Sequence, residues 1–141
     1  MKRNLIATFA LAVAAMAVSA PAVIAQSESQ ATIPFNFQVA RSSMPAGTYV
    51  LETNGFGPVS VRDTHNGHTR LALGMAEQSN KASHSRLIFH RYGSKYFLAE
   101  IWGGGTTGVK VPETKQEAEY RASNESPMQE QVVLLAMLKE Q

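Results

Sequence analysis

The sequence predicts an all-β, mainly antiparallel fold with one short helix towards the C-terminal end. Three observations point to it. Short runs alternate apolar and polar residues with a period of two, and clusters of Gly, Pro, Asn and Ser separate those runs at hairpin spacing. One charged segment opened by Pro112 interrupts the pattern late in the chain. About seven strands at that spacing suggest a small barrel or barrel-like sheet, with a two-sheet sandwich as the alternative.

The N-terminal segment belongs to a different category. Lys2 and Arg3 precede an uninterrupted apolar run from Leu5 to Val18, and small residues follow. That order predicts a secretory signal peptide over residues 1–25. A cut after Ala20 would leave Pro21 at the new terminus, so the expected cut lies between Ala25 and Gln26. A membrane-spanning helix needs about 20 apolar residues, more than this run supplies. The chain has no cysteine, hence no disulfide and no thiol to carry a lipid. The expected location is therefore outside the cytoplasm, periplasmic or secreted.

Export changes the charge balance. Lys2 and Arg3 leave with the signal, so 13 basic against 11 acidic residues become 11 against 11. The remaining basic residues are scattered, which argues against a nucleic-acid partner. No second apolar run approaches spanning length, so no membrane span is expected in the mature protein. Residues 26–31 are polar and read as a flexible tail, and residues 32–141 as a single β-rich domain.

Within that domain Ile33, Phe35, Phe37 and Val39 alternate with polar positions, giving a first strand that begins at Pro34 or lies at an edge. Residues 42–47 form a Pro/Gly turn, and Thr48 to Thr53 a strand with Tyr49 and Leu51 on one face. Asn54 to Pro58 turns again. Val59 and Val61 then pair with residues beyond Gly67, and the register depends on the loop. A three-residue loop, His65-Asn66-Gly67, sets Val59 and Val61 opposite Leu73 and Leu71. A two-residue Asn66-Gly67 turn would leave both leucines exposed, at about 1.5–3 kcal/mol each. The three-residue loop is expected.

Residues 78–83 read as a polar loop. A second hairpin, Arg86 to Tyr92 and Lys95 to Trp102, turns at Gly93-Ser94. Regular alternation groups Leu87, Phe89, Leu98 and Trp102 on one face, and Ile88, Phe97, Ala99 and Ile101 on the other. Gly103 to Gly108 reads as a flexible loop. Pro112 opens a surface helix from Glu113 to about Ala122, with Glu117 and Arg121 at a favourable spacing of four. Residues 132–138 read as a last strand.

Little in this pattern carries chemistry. Asp63, the chain's one aspartate, sits near a hairpin tip, a poor place for the buried carboxylate of a Ser-His-Asp triad. His65 and His68 flank a turn, but a zinc site takes about four ligands. The Gly103–Gly108 run lacks the Lys of a phosphate loop. Asn124-Glu125-Ser126 matches a glycosylation sequon. No cofactor motif is present, so no cofactor is expected. The candidate ligand-binding residues lie on the second hairpin: Glu100, His90 and Arg91 as polar fixtures and Trp102 among the aromatics, should the sheet close around a cavity. The plainer reading of the aromatics is core, and of Glu100 an outward position or a pairing with Arg86 or Arg91.

Three stretches carry a resemblance: Ile33-Pro34-Phe35-Asn36-Phe37 followed by Met44-Pro45-Ala46-Gly47-Thr48-Tyr49, then Phe89 to Leu98, then Val111-Pro112-Glu113. Together they resemble an uncharacterised family of small exported bacterial β-domain proteins. The resemblance implies export and a β-fold with a late helix, and transfers no activity or functional residue. Three functions follow as expectations: a non-enzymatic binding or structural protein of the envelope, a β-barrel carrier of a small molecule, and a metal-assisted enzyme using His65 or His68.

Overall fold

The alternating apolar residues form one core. In a computed structural model, which describes residues 27–53, 57–123 and 127–137, Phe37, Val39, Tyr49, Leu51, Val59, Val61, Leu87 and Phe89 are fully buried. The signal segment 1–25 and its cut at Ala25/Gln26 lie outside those residues, as do positions 54–56, the Asn124 sequon and Leu138. The strands are β1 (Ser27–Ile33), β2 (Phe37–Val39), β3 (Ser42–Met44), β4 (Gly47–Thr53), β5 (Gly57–Asp63), β6 (Thr69–Ser83), β7 (Arg86–Tyr92), β8 (Lys95–Trp102), β9 (Gly105–Lys110), β10 (Gln129–Leu134) and β11 (Ala136–Met137). The helix is α1 (Lys115–Ser123).

The strands follow the order β10-β7-β8-β9-β6-β5-β4-β1-β11, all antiparallel, with β2 joined to β8 by a parallel bridge at Gln38 and Phe97. The expected all-β class with one helix is present. The sheet curls round the core but does not close. Its two ends, β10 and β11, are successive pieces of one extended segment, broken at Leu135, whose N–H donates to the Ser85 carbonyl at 3.0 Å.

Several segments expected outside the ladders lie wholly or partly within them, among them Ser42–Met44, expected in a turn, which is β3 and pairs with β2. Residues 27–31 are not a loose tail: they form most of β1, paired along its whole length with β4. Residues 78–83 continue β6, and Gly105 to Lys110 is β9. Polar strands of this kind carry no hydrophobic signal; neighbouring strands supply the ladder. At Gly108 the indole of Trp102 fills the place of a side chain, since a Cβ there would lie 2.5 Å from the ring. The run from Ile33 to Val39 keeps its alternating burial, but the ladder stops at Ile33 and resumes at Phe37. Pro34 has no N–H to offer it.

The β5–β6 hairpin takes neither expected register. Its loop has four residues, 64–67, inside a pair of backbone bonds: Asp63 N–H to the His68 carbonyl and Gly67 N–H to the Asp63 carbonyl, both 2.9 Å. The Asp63 carboxylate accepts the His65 N–H at 2.8 Å, and the Asn66 side-chain oxygen accepts the His68 N–H at 2.8 Å. These side-chain turns favour the longer loop. Val59 therefore faces Ala72 and Val61 faces Arg70, leaving Leu71 64% and Leu73 75% exposed.

Burial of the leucines loses to a lack of room. The inward positions of β6 are Ala72 and Gly74, and a Cβ on Gly74 would come within 2.5 Å of Val109 Cγ1 and 3.0 Å of the Gly57 carbonyl oxygen. Gly74→Ala should accordingly destabilise the protein by about 1–3 kcal/mol, the usual cost of overpacking. Leu71→Ser should stay within about 0.5 kcal/mol of the parent. Urea unfolding measures both, and a large loss at Leu71 would contradict the observed register.

Candidate functional site

The four residues singled out on the second hairpin are not brought to one place. Alternation along β7 turns Leu87, Phe89 and Arg91 towards the core side and Arg86, Ile88, His90 and Tyr92 towards the other. On β8 the register shifts, since Ile88 pairs with Glu100 but Phe89 with Leu98. Ala99 is the extra residue, and its carbonyl accepts the Val111 N–H at 2.7 Å. This bulge corrects the face assignment: Leu98 and Ile101 join the core, while Phe97, Glu100 and Trp102 lie on the outer side. The hairpin aromatics are thus divided between two faces and do not line one interior cavity.

Arg91 sits at the core-side rim. Its guanidinium lies 5.4 Å from the Tyr96 ring centroid and its Nε donates to the Gly93 carbonyl at 2.8 Å. Tyr96 stacks on Phe35, which meets Phe89 edge-on. On the outer side the Trp102 indole N–H donates to the Glu100 carboxylate at 2.7 Å, and Arg86 covers the indole at 5.3 Å. Glu100 thus pairs with Trp102.

His90 meets a partner that strand and helix patterns did not indicate. Its Nδ1 lies 2.6 Å from Glu117 Oε1, and the Tyr92 hydroxyl donates to the same oxygen at 3.2 Å. Glu117 is 4% exposed, on a helix otherwise directed to solvent. Thr114 caps that helix by accepting the Glu117 N–H at 3.2 Å. The expected Glu117–Arg121 pair does not form; Arg121 binds Glu113 at 2.8 Å. A carboxylate oriented on imidazole is the arrangement that positions a general base. Here the three groups satisfy one another and clamp α1 to β7.

The charges shift accordingly. The hydrogen bond to Glu117 holds the His90 pKa above its ordinary value, against the opposing effect of burial, with Glu130 and Glu100 adding to the rise. Burial, then the Glu117 charge, pushes Tyr92 up to about 12.

His65, in the four-residue loop, and His68, just after it, are both exposed, and the described residues hold no group of three or more His, Asp or Glu placed for one metal ion. A groove lies elsewhere, between the β2–β3 turn, β6 and the start of α1. One cavity of about 300 Å³ is lined by Arg41, Ala72, Leu73, Val111 and Pro112 among others. A second, of about 450 Å³, shares Arg41, Thr114 and Lys115 with it.

No protein-family model, curated protein or solved structure matches this chain.

The sequence pattern offers Glu117 only as a surface partner of Arg121 and singles out neither Arg41 nor Lys115. Thr114-x-x-Glu117 is a capping-box spacing and marks the helix start, but no local pattern says that its carboxylate turns inward.

The His90–Glu117 pair has a pH signature. A pKa raised in the folded state favours the imidazolium there. The stabilisation is complete below about 6.5 and is lost as pH rises through the raised value. Glu117→Gln should bring the His90 ring titration, read by NMR, down to or below the ordinary value and flatten the decline of stability above pH 6.5. An unmoved titration would show that Glu117 does not hold the proton.

Proposed function

We propose that this chain is an exported, non-enzymatic binding domain of the bacterial envelope, periplasmic or secreted after cleavage between Ala25 and Gln26. One observation carries the binding part of the reading. Leu71, Leu73 and Met75, at alternate positions of β6, stand 64%, 75% and 53% exposed on its outer side. A slip of one residue would turn them inward, and the register holds them out. Contiguous apolar side chains kept in solvent by the fold mark a surface that meets something else. The polar groups of the second hairpin support the same reading, because Glu100, His90 and Arg91 are each engaged in contacts that secure the fold. Export is supported by the basic, apolar and small-residue order of residues 1–25.

Native and denaturing mass spectra of the protein purified from its host's exported fraction test both parts. The denatured mass is expected to begin at Gln26, and the native mass to carry a non-covalent addition. A Leu71→Ser, Leu73→Ser, Met75→Ser triple variant should lose that addition. A bare native monomer would overturn the binding reading, and a retained residue 1–25 would overturn export.

A further inference from the structure

The groove beside Leu73 has the chemistry of a particular ligand class. We propose that it binds an anionic amphiphile, a carboxylate on a linear apolar chain. This deepens the binding reading above and rests on it.

The apolar part of the groove is formed by Ala72, Leu73, Val111 and Pro112. It is open because β9 pairs with β6 only from Met75 onward, and the chain leaves the ladder at Lys110. Along Arg70 to Gly74 that edge of β6 has no ladder partner among the described residues. Leu73, itself exposed, also lines the cavity and brings apolar surface to its rim. A cavity of about 300 Å³ is at the small end of ligand sites, a size for a single alkyl chain and not for a fused-ring ligand.

The polar part carries positive charge. Arg41 and Lys115 both line the two cavities, and neither has an ion pair or side-chain hydrogen bond among the described residues. Of the two acids present, Glu113 is engaged by Arg121 at 2.8 Å, and Glu119 borders the outer cavity alone. Two cations against one unengaged carboxylate favour an anion. A carboxylate suits Arg41, whose planar fork accepts it with two hydrogen bonds. Ala40, whose backbone is left-handed at φ 53°, lines the cavity beside Arg41.

The test uses decanoate, with decanol and decyltrimethylammonium as neutral and cationic controls of the same chain length, each below its micellar range. Titration into isotopically labelled mature protein should give saturable amide shifts at Ala72, Leu73, Val111 and Lys115 with decanoate. The controls should bind about tenfold more weakly or not at all. Arg41→Gln with Lys115→Gln should weaken decanoate about fivefold to tenfold while leaving decanol unchanged, and added salt should act in the same direction. Both side chains are exposed, so the double variant should keep its fold, as its spectrum will report. Equal binding of all three probes would overturn the proposal, and so would shifts confined to other residues. A bound mass in the native spectrum together with a silent groove would overturn this proposal and leave the binding reading standing.

Discussion

Gly74 marks the point where β6 changes partners, from β5 along its first half to β9 along its second. Val109 on one side lies 2.5 Å from where a Cβ would sit, closer than a side chain there would allow, and Val59 on the other approaches the same place to 3.0 Å. The two halves of the sheet share this strand, and the core between them is closed by contact across a bare backbone. The same closeness fixes what faces outward. With only Ala72 and Gly74 admitted on the inner side, the large side chains of this stretch are left on the outer side. Core density on one face and apolar exposure on the other have a single cause.

The helix follows a different logic. Most of its side chains face solvent, and Tyr120 against Phe97 is its one ring contact among the described residues. Its attachment relies on Glu117, whose carboxylate takes hydrogen bonds from two residues of β7. A charge removed from water is costly unless it is well paired, and the His90 proton supplies the compensation. The outer face of β7 and β8 is thereby covered at its Tyr92 and Phe97 end by a polar clamp in place of an oily one.

Much of the fold was legible in the sequence where burial and turn chemistry agree. The β7–β8 hairpin has the expected ends and the expected Gly93-Ser94 turn, and the inward positions from Ile33 to Val39 are correct although Pro34 splits the ladder. The expected last run is extended rather than helical, but it is broken at Leu135 into the end of β10, which starts earlier at Gln129, and the short β11. What was not legible depends on things that alternation does not encode. The bulge at Ala99 exchanges the faces of Ile101 and Trp102. The β5–β6 register is set by Asp63 and Asn66 capping their own loop and by the absence of space at Gly74. Glu117 reads as one more surface acid until His90 and Tyr92 are seen beside it. For the same reason the candidate residues on the second hairpin scatter over two faces, while Arg41 and Lys115, far apart in sequence, share one groove.

The segment from Gln129 to Met137 completes both ends of the sheet, Val132 lying opposite Ile88 and Met137 opposite Ser29. In folding terms the second edge of β1, the one not taken by β4, must wait for β11 from more than 100 residues along the chain, a non-local pairing of the kind that slows folding. Until that segment arrives, β1 and β7 both present open edges that another strand can occupy. A chain with that topology spends its vulnerable time as an unfinished sheet, and its traffic with neighbouring chains is decided by how quickly one late segment reaches two distant edges.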